Sequence, residues 1–599
     1  MRAPVPLWVL LAASVLVGAL PFLFAPRGYH FTSDDYWFAG YGEIPGGEGV
    51  CSIAEAFTGD WLTGARGQGG WLRPIPRMVH LANDWVFGLD QPWGYHLTNR
   101  LIHGTNGFLL LMLLLRWLGP GSLVAAGGGT LAFLWYPPGA GAVGWVSGRT
   151  DLLATFFLLL AMHAAVAPWR ARWRYPAVFI TTVLACLSKE SGFFAPLFVG
   201  ALLLFFPRGG EQKRLDWWGG LAACAAGAVL VFGWRWYFLG GLGGYGDQIA
   251  QRPLGDSVRW LRSYVRHSFW LAGAPQAVAW GALALAAVWA AAAGGRTGWR
   301  AAAGGAAIWL LAAVPIVYIP LHMVEEGRLL YISGLALAVS LAGVVRAGSD
   351  VRGASFVLGA AGAFVLLSLH SYTRYDFAWR DAGQATHRIA EALTAASDRH
   401  PDRPHLAVHE DMDFAVYTQG PLQRNAPGAK ILPWDQAKWA VYRHSRGRHE
   451  ILWGKGGGLP EEPMVLSVIS MGPAPEVTSW LAAEPFCREM NPVAGADFPA
   501  LLADWEAEHP PAREYYAMAT LELTEARNWH LPALAAGEET VHSVEVATPE
   551  ARTRHTFNLG AGAAARQVWT HRPLDSSAPP ELHRLEACIL PLLDPIPQE

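Results

Sequence analysis

RYPAVFITTVLACLSKESGFFAPLFVGALLLFFPR, residues 174–208, reads either as one long apolar stretch or as two short ones. A membrane-spanning helix needs about 20 apolar residues, with a usual range near 17–25. As a single span the stretch is too long. It would also put Arg170, Arg172 and Arg174 on one side of a bilayer and Arg208, Lys213 and Arg214 on the other. Positive residues collect in cytoplasmic loops. Dividing the stretch at Lys189–Glu190 puts both basic clusters on one side. The division therefore sets the number of crossings.

Outward from it, the apolar runs give candidate spans at 5–25, 96–117, 122–138, 149–168, 174–188, 191–207, 217–239, 267–291, 302–319, 329–345 and 354–370, about eleven in all. Arg2, Arg116, Arg296, Arg300, Arg346 and Arg352 then join the two clusters on the cytoplasmic side. An odd count exports everything after the last span. The first run, MRAPVPLWVLLAASVLVGAL, imitates a signal peptide, but its length suits a crossing and no clean A-x-A site follows, so it reads as a retained first helix.

Composition agrees with a division in two. The 599 residues are 52% hydrophobic and only 16% charged, against about 25% charged in soluble domains. The deficit lies in the first 370 residues. The fold expected is an α-helical polytopic membrane domain over 1–372, with a first outer loop at 26–95, and a soluble mixed α/β extracytoplasmic domain over 373–599. The setting is a plasma (inner) membrane crossed many times. The 29 Trp fit headgroup anchoring to membrane lipids. A net charge of −3 with no basic stripe excludes a nucleic-acid partner. The five cysteines show no paired spacing for a metal. Cys487 and Cys588 share the soluble part and either pair there or stay free thiols.

In the soluble part, 381–397 continues as a helix. Strand-like runs follow at 405–410, 414–420, 464–470, 542–548, 554–560 and 566–571, with a helical stretch at 498–508. No phosphate loop, nucleophile elbow or HExxH occurs. Aromatics there could stack on sugars, although core aromatics are commoner.

An ionisable group within hydrocarbon costs at least about 2.5–3.5 kcal/mol, so each one hints at function. Here they collect at the ends of spans assigned to the outer side. They are Asp34 and Asp35 in FTSDDYWF, Arg73, His96, Asn99, Arg100 and His103 in GYHLTNRLIH, Arg149 and Asp151 in GWVSGRTDLL, Lys189 and Glu190 in LSKESG, and Glu325, Glu326 and Arg328 in VEEGRLLY. Each has a plainer reading. His96, Asn99 and His103 share one helix stripe, which also suits interhelical hydrogen bonds. Lys189 and Glu190 suit a local turn, Arg149 a snorkelling cation, and the Asp pair a solvated loop.

The set also suits sugar transfer. A carboxylate accepts the proton of an acceptor hydroxyl. Arg and Lys hold a lipid-borne phosphate and stabilise it as it leaves. Two adjacent Asp raise one another's proton affinity, which poises one as a base.

Five blocks together resemble the GT-C superfamily of polyprenyl-phosphate-sugar glycosyltransferases, in particular the TMTC O-mannosyltransferases and their bacterial relatives. They are the DD of FTSDDYWF, LRPIPRMVH, PWGYHLTNRLIH, GWVSGRTDLLATFFLLLA and LSKESGFFAPL; EEGRLLYISG is a sixth. The resemblance covers residues 1–372. It implies a GT-C fold, Asp34 or Asp35 as catalytic base, and donor phosphate contacts from Arg149, Lys189 and Arg328. Arg73, His96, His103, Asp151, Glu190 and Glu326 support them.

Two departures stand out. The family's P-x-H-x-E-A-V stretch is here Pro137-Pro138-Gly139-Ala140-Gly141-Ala142-Val143, so Gly replaces both His and Glu. That counts against a metal site and leaves Glu190 or Glu326 as replacement carboxylates. No cofactor is called for; a divalent metal is compatible but not indicated. No tetratricopeptide period follows residue 371, so the acceptor stays open between protein Ser/Thr and an envelope glycan or lipid. A flippase for a lipid-linked glycan, or an inactive scaffold presenting its C-terminal domain, are the alternatives.

Overall fold

A computed structural model describes residues 6–32, 35, 53–60, 70–88, 90–119, 121–205, 214–241, 303–314, 328–348 and 354–398, isolated positions between 261 and 300, and strands within 405–591. The chain divides into two compact units. One takes Met1–Tyr29, Trp37–Arg380 and Thr418–Pro427; the other takes His30–Tyr36, Asp381–Tyr417 and Gly428–Glu599.

The first unit is helical. Its main helices are α1 (Leu7–Gly18), α2 (Pro74–Phe87), α3 (Pro92–Leu118), α4 (Leu123–Leu134), α5 (Arg149–Val166), α6 (Ala171–Ser188), α7 (Ala195–Phe205), α8 (Arg214–Leu239), α9 (Gly334–Gly348) and α10, which starts at Ala354 and runs to Asp398. Proline at the first turn opens α2 and α3, where a missing N–H costs nothing. Gly88 (φ 64°) and Gly119 (φ 93°) close the same two helices in the left-handed region.

Five stretches are long and apolar enough to cross a membrane by length and composition: Pro92–Leu118, Val146–Val166, Trp218–Leu239, Arg328–Gly348 and Ala354–Phe377. Leu7–Gly18, Leu123–Leu134, Glu190–Phe205 and Ala303–Ala313 are shorter apolar helices. The expected run 5–25 is interrupted at Ala19, where Pro21 opens a separate short helix, Leu20–Phe24. The expected 122–138 stops at Leu134, just ahead of Pro137 and Pro138. Within the first outer loop, Ile53–Thr58 forms a short helix. Residues 267–291 lie mostly outside the described residues.

The Lys189 break is present. Lys189 is extended (φ −163°, ψ 156°) between α6 and a short 3-10 turn, Glu190–Phe194, that leads into α7. Gly192 donates its N–H to Lys189 O at 2.9 Å and lies against the Ala185 backbone, where a Cβ would collide. The turn is that tight because residue 192 has no side chain.

The helices pack through small residues, as apolar helices must when lipid offers no hydrophobic drive. A Cβ on Gly104 of α3 would sit 2.5 Å from Val15 Cα of α1, and Ser14 Oγ donates to Gly104 O at 2.7 Å. Gly129 of α4 meets Ala338 O of α9 at the same closeness. Leu114, Phe133, Leu159, Phe198, Leu202 and Val339 belong to the resulting core.

The second unit holds two sheets. Strands β1 (His405–His409), β2 (Ile451–Trp453), β3 (Met464–Gly472), β4 (Tyr515–Leu523) and β9 (Arg584–Pro591) form a mixed sheet in the order β2-β1-β3-β4-β9. β1 pairs in parallel with β2 and β3, and β4 pairs antiparallel with β3 and β9. Strands β5 (Arg527–His530), β6 (Val541–Ala547), β7 (Arg552–Asn558) and β8 (Thr570–Pro573) form an antiparallel sheet. The expected strand at 414–420, the helix at 498–508 and Cys487 lie outside the described residues.

Candidate functional site

Helix ends place the charged residues of the first unit. Arg149 opens α5 and is fully buried. Its Nε donates to Asn99 Oδ1 (2.9 Å), its Nη2 to Tyr95 O (2.9 Å), and its Nη1 to His80 Nδ1 (3.2 Å) and Asn83 Oδ1 (3.5 Å). One guanidinium thus joins α5 to α2 and α3. Burial, with Arg149 and Arg77 alongside, pushes the His80 pKa well below its usual value, which suits a neutral ring accepting at Nδ1. All three Arg149 nitrogens face protein acceptors, which fits holding the helices together better than the expected phosphate contact.

Asp151, in the first turn of α5, accepts from Lys189 Nζ at 2.6 Å through both oxygens. Both side chains are over nine-tenths buried. Burial lowers the Lys189 pKa to about 8; Asp151 opposes this, and Arg328 and Arg73 add to it.

Glu190, the next residue, binds two arginines. Arg73 grips it with Nε (3.2 Å to Oε1) and Nη2, and Arg235 Nη1 donates to Oε1 at 2.7 Å. Burial alone would raise the Glu190 pKa; the two arginines outweigh it and hold the carboxyl well below its usual range. Arg73 also lies 4.2 Å from the Trp71 ring centroid. Arg328 lies 4.2 Å from the centroid of buried Trp145, which stacks on Trp379 at 5.2 Å.

The His stripe of α3 makes interhelical bonds. Leu134 O only accepts, so His103 Nε2 donates to it (3.0 Å), and Nδ1 meets the Tyr331 hydroxyl at 2.8 Å. Asn99 Nδ2 donates to Trp145 O at 2.9 Å. The His96 ring lies 5.2 Å from that of Tyr29. Beside them Arg100 pairs with Asp376, both fully buried.

Asp35, in the second unit, is buried; its Oδ2 accepts from Thr32 N–H at 3.1 Å, and its own N–H donates to Thr32 O at 3.1 Å. Asp34, Glu325 and Glu326 lie outside the described residues. Among the described residues no group of three or more His, Cys, Asp or Glu is placed to hold a metal ion. The segment that lacks the family's His and Glu, Pro137–Val143, is buried throughout.

Arg235 and Asp376 escaped the sequence reading. A lone Arg in the apolar run GWRWYFL was the available signal for the first. Asp376 fell past the end assigned to the last span.

No family model matches the chain. It is 32% identical over 156 residues to the protein O-mannosyl-transferase Tmtc2 of Drosophila melanogaster, which covers 24% of this chain and 16% of that relative's length. This agrees with the resemblance carried by the sequence blocks. Among solved structures, ArnT from Cupriavidus metallidurans bound to undecaprenyl phosphate aligns over 79% of this chain and 94% of its own, with a TM-score of 0.41 and 14% identity. Its apo state aligns over the same shares with a TM-score of 0.31 and 15% identity.

Proposed function

We propose that the chain is a GT-C-type membrane glycosyltransferase. It moves a sugar from a polyprenyl-phosphate donor to an acceptor hydroxyl, of protein Ser/Thr or of an envelope glycan or lipid, on the outer face of the plasma membrane. Eleven spans and an extracytoplasmic domain over 373–599 go with this reading.

One observation carries it. Lys189 carries the electrostatic influence of Arg73 and Arg328, and Arg235 shares Glu190 with Arg73. Asp151 pairs with Lys189, and Glu190 pairs with Arg73 and Arg235. Such a cluster of cations suits a phosphate. Arg328, whose guanidinium carbon lies 4.2 Å from the Trp145 ring centroid, offers a planar fork, and Lys189 a point charge. The similarity to an O-mannosyl-transferase supports the same reaction class.

In the reaction, the acceptor oxygen attacks the anomeric carbon and gives its proton to Asp34 or Asp35. The bond from that carbon to the phosphate oxygen breaks, and polyprenyl phosphate leaves with the electron pair. A single displacement inverts the configuration. The cations act on the charge that grows on the phosphate. Arg149 contributes by fixing α2 and α3 against α5.

The test is sugar transfer by purified protein in proteoliposomes carrying polyprenyl-phosphate hexoses, with product identified by mass spectrometry. Product from the native chain and its loss in Asp34→Asn or Asp35→Asn support the proposal. Undiminished product in the double variant, or none from the native chain with any such donor, overturns it.

A further inference from the structure

Trp145 is fully buried where the chain passes from the short helix Ala140–Gly144 into the 3-10 turn Val146–Gly148, and its own backbone is extended (φ −96°, ψ 127°). Both ends of this passage are close-packed. A Cβ on Gly144 would sit 3.0 Å from Trp379 Cβ, and one on Gly148 would sit 2.4 Å from Ala142 O.

Backbone and ring of Trp145 are held separately. Its carbonyl oxygen accepts from Asn99 Nδ2 at 2.9 Å, and Asn99 Oδ1 accepts in turn from Arg149 Nε at 2.9 Å. Its ring stacks on that of buried Trp379 of α10 at 5.2 Å, with 10° between the planes. The guanidinium carbon of Arg328 lies 4.2 Å from the centroid of the same Trp145 ring. Arg328 opens the 3-10 turn Arg328–Ser333, whose remaining residues are buried.

An indole face attracts a cation through its quadrupole, most strongly away from water. It brings no counter-charge, so this contact holds Arg328 without neutralising it. The carboxylates nearby act differently. Asp151 at Lys189, and Glu190 at Arg73 and Arg235, hold and neutralise at once. A long arginine side chain also has rotamer freedom to lose, and ordering it in advance removes that cost from ligand binding.

We propose that Trp145 is a positioning residue for the donor phosphate. Stacked on Trp379 and tied to Arg149 through Asn99, it holds the Arg328 guanidinium in place with its charge still available to an anion. Trp145 acts through Arg328 and does not itself touch the donor. This rests on the reading of Arg328 as a phosphate contact.

The test is binding of polyprenyl phosphate to the full-length protein in detergent, titrated by native mass spectrometry. Trp145→Phe keeps an aromatic face and Trp145→Met does not, while both leave space beside Trp379. Affinity should fall about tenfold in Trp145→Met and only about threefold in Trp145→Phe. Arg328→Met should weaken binding as well. Adding Trp145→Met to it should cost nothing further, since the ring acts only through the guanidinium. A ring that merely fills the core would give equal losses in the Phe and Met variants, or losses that add to that of Arg328→Met; either result overturns the proposal. Undiminished affinity in Trp145→Met does so too. If Trp145→Met does not fold, Trp145→Phe decides, because its loss should vanish in the Arg328→Met background. A native chain that binds no polyprenyl phosphate overturns the phosphate reading itself, whereas native binding with additive losses overturns the role of Trp145 alone.

Discussion

Both carboxylate oxygens of Asp151 lie 2.6 Å from the ammonium nitrogen of Lys189, and each side chain is over nine-tenths buried. The pair spans the start of α5 and the break between α6 and α7. Removing one member of a buried pair strands the other charge, which costs about 3–5 kcal/mol. Lys189→Met should therefore lower the thermal midpoint in detergent sharply. Adding Asp151→Asn should recover part of the loss. A Lys189→Met protein as stable as the native one would mean that the pair bears no load.

The same lysine predicts a pH dependence. Burial, partly offset by Asp151, depresses its pKa to about 8. Below that value the ammonium is charged and attracts phosphate; above it the attraction fades. Donor KM should rise as pH passes upward through about 8. Lys189→Arg, charged throughout that range, should flatten the rise. A flat native profile across pH 7–9.5 would remove Lys189 from the phosphate site.

Arg149 is expected to act on stability. Arg149→Lys keeps the charge but cannot reach Asn99, Tyr95, His80 and Asn83 from one planar group. The stranded buried partners should cost about 2–4 kcal/mol. Unfolding in denaturant measures this, and donor KM measured on the folded fraction should stay within about twofold. A large KM change without loss of stability would return Arg149 to the phosphate.

Glu190 joins the first-loop arginine to α8. Glu190→Gln should loosen the Arg73 and Arg235 contacts and leave excess positive charge. Inorganic phosphate or sulfate should then protect the variant against heat more than it protects the native chain. Equal protection would show that the arginines lie away from the anion.

Much of this was legible in the residues. Lys-Glu in the middle of an apolar run marked the break at Lys189, because charge inside hydrocarbon is costly. Pro137-Pro138 should have shortened the third span but was read as its end, so α4 is shorter than expected. The His stripe of α3 was visible, and its interhelical role follows from the period. The partner of Arg149 was not visible, because a guanidinium at a helix start has the same local sequence whether protein or ligand binds it. β4 was missed because YYAMATLEL is rich in helix formers, and its pairing with β3 and β9 overrides that preference.

The central claim is a phosphate site built on Lys189 and Arg328. The direct measurement is binding of polyprenyl phosphate to the purified protein in detergent, followed by native mass spectrometry. The account predicts saturable binding of one lipid, weakened about tenfold or more in Lys189→Met with Arg328→Met, and unchanged in Arg170→Ala with Arg172→Ala, which removes exposed charge at the start of α6. Equal affinity in all three proteins, or equal loss in both variants, would contradict it.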